Sequence, residues 1–221
     1  MTDWKETLFV WKGILTIVNN NNVEWKGTWV STNDEKNNFP TDDDFASSKN
    51  NFELYSSTIT KHNNDSIDIN FDRGHYLLDN GNGLEKFSDS DHNLYCIKHT
   101  DDRWYCFAKG DTEFGPFISK GIAINNNVNC DDNNDSDNDN DVNSTSYILT
   151  LARRYVYSKK DSRLNLPIET STRQMIEELS SSTSSSSSSS STTTTDNEPK
   201  PWLDLPMKDK KKPSKKRDRD H

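Results

Sequence analysis

The chain has 221 residues with 27 Lys+Arg against 36 Asp+Glu, a formal net charge of -9, and only 29% hydrophobic residues. An average globular domain carries roughly 45–50% apolar residues, so one compact core does not account for all of this chain. No apolar run approaches the roughly 18 residues of a membrane-crossing helix, yet six Trp, seven Tyr and nine Phe are too many for a chain that never folds.

The first expected strand is Leu8 to Val18. The Asn19–Asn22 tetrad breaks it, and Val23 to Val30 follows. There Val23, Trp25, Gly27 and Trp29 share one parity and Glu24, Lys26 and Thr28 the other, the period of two of a half-buried strand. The stretch from Asn33 to Asn51 reads as a polar loop. Phe52 to Ile59 is a weaker strand, Ile67, Ile69 and Phe71 alternate with Asp68 and Asn70, and His75 to Leu78 is another short strand. Leu94–Lys98 and Trp104–Ala108 flank a hairpin loop over residues 99–103. Phe114 to Ile124 comes next, and Tyr147 to Tyr157 closes the series, with Tyr147, Leu149, Leu151, Arg153 and Tyr155 on one side. This predicts an all-β domain over residues 1–160, an antiparallel barrel or sandwich of about eight or nine strands without a helix. Its Asp/Asn-rich loop, 129–143, is expected to be disordered, at little cost because closure entropy grows slowly with loop length.

Residues 161–180 read as a linker holding a short helix, Glu169 to Leu179. Ser171 and Gln174 resemble a capping box, with Met175, Ile176 and Leu179 on one face. Residues 181–221 form a Ser/Thr-rich and then basic tail, expected to be disordered for want of anything to bury. Within it, Trp202, Leu203 and Leu205 between prolines suit a short linear motif for a protein partner.

Three motifs bear on function. Trp11-Lys12-Gly13 recurs as Trp25-Lys26-Gly27. Paired across an Asn turn, these segments form a bent hairpin, the glycines marking close backbone approach. Its tryptophans serve core packing and curvature or line a ligand cavity, with Trp25, Trp29, Trp104 and Tyr155 as candidate lining. Secondly, Cys96 and Cys106 are equidistant from residue 101 and fall opposite each other in a symmetric hairpin. With His99 they outline a Cys/Cys/His metal site or else a pair of small buried hydrophobes. Thirdly, Lys210, Lys211, Lys212, Lys215, Lys216 and Arg217 match a nuclear import signal read by an import receptor, or a solubilising terminus. No nucleophile elbow, phosphate-binding loop or dinucleotide fingerprint occurs, so the chain is read as non-enzymatic and without a cofactor.

Gly27-Thr28-Trp29 resembles the first-strand signature of lipocalins and related calycin barrels. The resemblance implies a closed barrel and a basic residue of the last strand, Arg153 or Arg154, packed over that Trp. Gly74 to Asp79, Glu113-Phe114-Gly115-Pro116-Phe117 and Leu149 to Tyr155 are similar to a pattern of eukaryotic β-rich domains without an assigned activity. That likeness bears on the fold alone.

The start of the chain lacks the basic and apolar regions of a secretory signal, and three Cys make no disulfide framework. The expected location is the nucleus or cytoplasm. Residues 1–160 hold 16 Lys+Arg and 26 Asp+Glu, whereas residues 207–221 hold 8 and 3. The folded part therefore disfavours nucleic acid and the tail attracts acidic grooves. The functions expected are a protein-interaction or binding module with an import-like tail, or an intracellular carrier of a small apolar ligand in a barrel cavity.

Overall fold

A computed structural model describes residues 7–19, 22–32, 39–62, 65–79, 81–126, 144–156 and 162–183. The core of the Asp/Asn-rich loop, the tail motif at Trp202, Leu203 and Leu205, and the basic run from Lys210 to Arg217 lie outside these residues.

The described chain is all-β, with eleven strands: β1 Leu8–Val18, β2 Asn22–Thr32, β3 Asn51–Ser56, β4 Ile59–His62, β5 Ser66–Phe71, β6 Arg73–Asp79, β7 Leu84–Ser88, β8 His92–Lys98, β9 Arg103–Thr112, β10 Gly115–Asn125 and β11 Ser144–Tyr155. Three helices accompany them: α1 Asp42–Ser47, α2 Ser162–Asn165 and α3 Ile168–Thr183. One antiparallel sheet runs β4-β5-β8-β9-β10-β11-β1-β2-β3-β6-β7 and curls into a half-barrel.

Three short links force that curl. Residues 57–58 join β3 to β4, Asp72 joins β5 to β6, and residues 89–91 join β7 to β8, although each pair stands eight ladder steps apart. In a flat sheet eight steps span about 38 Å, but a two-residue link reaches only about 11 Å. The two ends of the sheet are therefore held near each other by covalent chain. The sheet edges themselves, β4 and β7, remain unpaired in the ladder.

The β1–β2 hairpin supports the bend. Gly13 pairs with Gly27, and a Cβ on either would run into the carbonyl of Lys26 or Lys12 on the other strand. Only glycine permits that approach. Inside the curl pack Trp11, Trp25, Phe52, Phe71, Leu94, Leu149 and Leu151. The outer face is covered twice. Phe45 of α1 packs with Leu8, Val10 and Ala152, and Ile168 of α3 with Tyr95, Phe107, Ile118 and Val156. The Lys109 ammonium secures the second cover by donating to the carbonyls of Leu164 and Leu166, at 3.1 and 2.8 Å.

Several expectations need correction. There are eleven described strands rather than eight or nine, because β4 and β7 are exposed edge strands without alternating burial. The strand expected over Phe52–Ile59 ends at Ser56, where the Ser56 hydroxyl donates to the Thr58 carbonyl and accepts from the Thr58 amide. A helix does precede residue 160: α1 lies inside the expected polar loop. Thr41 and Asp44 form its capping box, and Asp42, Asp43 and Asp44 occupy its first turn, where acidic groups suit the helix dipole. The helix expected from Glu169 begins at Ile168, so Ser171 lies inside its first turn and bonds back to the Pro167 carbonyl instead of capping.

Gly27→Ala is expected to cost about 2 kcal/mol or more and to lower the melting temperature by roughly 4–8 °C. Thermal denaturation followed by circular dichroism checks this. An unchanged midpoint would mean that the hairpin does not need the contact.

Candidate functional site

Two features share Trp11. The first is a buried ionic cluster. Arg153, 1% exposed, stands on β11 with its guanidinium carbon 3.9 Å from the centre of the Trp11 ring and 3.8 Å from that of Phe117. Both Arg153 amino nitrogens lie 3.4 Å from Asp89 Oδ2, and one is 3.0 Å from His92 Nδ1. Asp89 and His92 are as buried as the arginine. His92 Nδ1 also stands 3.6 Å from Asp89 Oδ2, so one imidazole nitrogen lies between the guanidinium and the carboxylate. Burial, helped by the Arg153 charge, pushes the His92 pKa below its ordinary value against the pull of Asp89. Burial alone would raise the Asp89 carboxyl, but His92 and Arg153 outweigh it and hold it low.

The second feature is a cavity of about 250 Å³ lined by Phe9, Trp11, Trp29, Tyr76, Leu78, Phe114 and Tyr155. Alternation places it. Phe9 and Trp11 share one face of β1, and Tyr76 and Leu78 one face of β6, while Trp29 faces Trp11 across the β1–β2 ladder. Phe114 comes from the tight turn between β9 and β10, which Gly115 closes at φ +108°. The rings meet largely edge to face: Phe9 with Trp29 at 5.7 Å, Phe9 with Tyr155 at 5.7 Å, Trp11 with Tyr76 at 5.6 Å. Phe9, Leu78 and Phe114 are only half-buried.

Of the four lining residues read from the sequence, Trp29 and Tyr155 border this cavity. Trp25 does not. It is packed solid against Phe52, Phe71 and His92. Trp104 also lies elsewhere, edge-on to Tyr147 at 6.3 Å. The turn at Gly115 brings both Phe114 and Phe117 inward, with Phe117 under Arg153 and Phe114 at the cavity. Phe9, Trp11, Tyr76, Leu78 and Phe114 were missed; the strands that carry most of them were legible, but their common destination was not. Asp89 and His92 were missed as a pair because Asp89 lies in a link without periodicity.

The calycin resemblance set Arg153 or Arg154 over Trp29. Arg153 instead stacks on Trp11, because β1 is the immediate neighbour of β11 and β2 stands one strand further. Arg154 faces the opposite side of β11.

Cys96 and Cys106 do pair in register, with their sulfurs 2.7 Å apart and fully buried. Burial, with Cys96 alongside, pushes the Cys106 thiol up. His99 does not join them. It is exposed in the hairpin loop against Tyr105, at 4.6 Å. Among the described residues no group of three or more His, Cys, Asp and Glu is placed to hold a metal ion. No described helix is long and apolar enough to cross a membrane. No protein-family model, curated protein or solved structure matches the chain.

Two outcomes follow from the cluster. Removing one member of a buried ion pair costs about 3–5 kcal/mol, so Arg153→Met is expected to lose that much in urea unfolding, and a loss below 1 kcal/mol would contradict it. The second concerns pH. The folded-state pKa of His92 lies below its ordinary value of 6.5, so the unfolded chain takes up the proton first. Its contribution is complete above about pH 6.5 and is lost as pH falls below it. Asp89, also depressed, adds a further loss below its ordinary 3.8. Urea midpoints measured across this range should fall on acidification, and His92→Gln should remove the upper part of the slope.

Proposed function

We propose that the protein is a non-enzymatic binding module for a small, uncharged, flat apolar ligand held in the aromatic cavity. The observation that carries this reading is the cavity itself: six aromatic side chains and one leucine, with no charged side chain in the lining. At about 250 Å³ it lies just below the roughly 300–1,000 Å³ of pockets for drug-sized ligands, which suits a molecule of one or two rings. Ring walls in edge-to-face contact offer such a ligand the stacking and edge geometries that aromatic pairs favour. The half-buried Phe9, Leu78 and Phe114 give it a route of entry. The carrier reading therefore has more physical support than a purely protein-binding one.

The basic run from Lys210 to Arg217 adds to this proposal a contact with an import receptor, which would bring the module to the nucleus. Trp202, Leu203 and Leu205 supply a further candidate contact with a protein partner. Fusing residues 207–221 to a cytoplasmic reporter tests the import contact; a reporter that stays outside the nucleus removes it.

Titrating the full chain with one- and two-ring aromatic hydrocarbons should give a saturable change in Trp fluorescence. Phe114→Asp should weaken it at least tenfold, about 1.4 kcal/mol, while Trp104→Phe, away from the cavity, should leave the affinity unchanged. A panel without saturable response, or an unaffected Phe114→Asp variant, would overturn the reading.

A further inference from the structure

The buried thiols of the β8–β9 hairpin take no part in the cavity or in the ionic cluster. Cys96 and Cys106 stand directly opposite each other in the ladder, with one thiol hydrogen-bonded to the other at a sulfur separation of 2.7 Å. Both lie in the core that also holds Ile67, Leu94 and Leu149, 1% and 0% exposed. The kind of ladder position matters. The Lys98 amide turns away from β9 and donates to the Asp65 carbonyl at 2.8 Å. Cys96 lies two residues back on the same strand, so its amide also points away from β9. Cys96 and Cys106 are therefore a non-hydrogen-bonded pair, the class whose side chains approach most closely, with α-carbons about 4.5 Å apart. That separation falls within the roughly 4.4–6.8 Å that a disulfide spans between α-carbons.

Other chemistry suits the pair less well. Among the described residues no His, Asp or Glu completes a metal-holding group with them. Burial keeps the Cys106 thiol protonated, and a protonated, buried thiol is a poor nucleophile toward an outside substrate. What each sulfur has within reach is the other sulfur.

We propose that Cys96 and Cys106 are a thiol–disulfide site, closing a cross-strand bond that staples β8 to β9 when a low-molecular-weight disulfide such as oxidised glutathione is the oxidant. One cysteine thiolate attacks the oxidant, breaking its S–S bond and releasing one thiol. The other cysteine thiolate then attacks the protein sulfur of the mixed disulfide, forming the internal bond and releasing the second thiol. The two protons lost by the cysteines end on the two released thiols, and the two electrons reduce the oxidant. Both attacks require the hairpin to open, because solvent does not reach the closed pair. Once the hairpin recloses, the same burial shields the bond from reductants. The bond lies four residues beyond His92, which Arg153 holds, so β8 is fastened near both ends.

Equilibration of the full chain carrying Cys130→Ser with reduced and oxidised glutathione, approached from both the reduced and the oxidised side, tests this. Acid quenching, alkylation and mass spectrometry give the fraction in which residues 96 and 106 are bonded. The equilibrium constant for closing the bond is expected to be at least about tenfold larger in native buffer than in concentrated urea, because the fold holds the sulfurs together and the unfolded chain does not. By linkage the oxidised chain then melts at a higher temperature than the reduced one. Peptide mapping of the oxidised wild-type chain should show the same 96–106 bond, with Cys130 left open to alkylation. A gain smaller than tenfold, a lower melting midpoint on oxidation, or a wild-type chain that bonds Cys130 to either partner in preference would overturn the proposal.

Discussion

A positive charge sits where water does not reach, and the closure of the half-barrel converges on it. Arg153 is clamped between two aromatic faces and hydrogen-bonded to groups from the single link that joins β7 to β8 and from the first residue of β8. That link is one of three that span the open side of the sheet. A guanidinium has five donors and a flat face on each side, so one side chain bonds the link and stacks on the wall at the same time. Lysine would do only the first. The Asp89 amide adds a bond to the Gly74 carbonyl on β6. The covalent links thus tie the two ends of the sheet, and the ionic cluster anchors one of those links to β11 in its middle.

The same cluster stands beside a cavity at the edge of a dense core. Toward Trp25, the interior is filled by rings packed at 4.6 to 6.2 Å. Toward Phe114, the wall is made of residues from four strands and a turn, and no side chain occupies the middle. Trp11 stands between these regions, one of its contacts being the arginine and another the empty space. One face of the Trp11 ring is thus covered by the guanidinium while the same residue lines the cavity.

Much of the fold was legible in the amino-acid order. Val23, Trp25, Gly27 and Trp29 alternate with charged and polar residues, and β2 forms there. Trp11-Lys12-Gly13 and Trp25-Lys26-Gly27 signalled a bent hairpin, and Gly13 faces Gly27. The equal spacing of Cys96 and Cys106 about residue 101 gave their cross-strand pairing. The edge strands β4 and β7 left no such trace, because each sets only one side chain, Ile59 or Phe87, against the core and no period of two shows. The six-residue helix α1 hid in a polar stretch, its signals being Thr41 and Asp44 three residues apart and the acidic run Asp42–Asp44. The cavity was half legible: Trp29 and Tyr155 border it, while Trp25 and Trp104, of the same chemical type, pack elsewhere.

The amino-acid order by itself determined which residues point inward, because a strand's side chains alternate with period two and that rule is local. It also determined where the chain bends, because glycine alone tolerates a backbone that close. Only the tertiary structure decided which inward residues share a wall. That depends on a sheet in which three pairs of sequence-adjacent strands lie eight ladder positions apart, and on curvature that brings β6 and the β9–β10 turn toward β1. Neighbourhood across a curled sheet is a long-range property, so Trp25 and Trp29, identical in type and parity, became a filled core and an open wall.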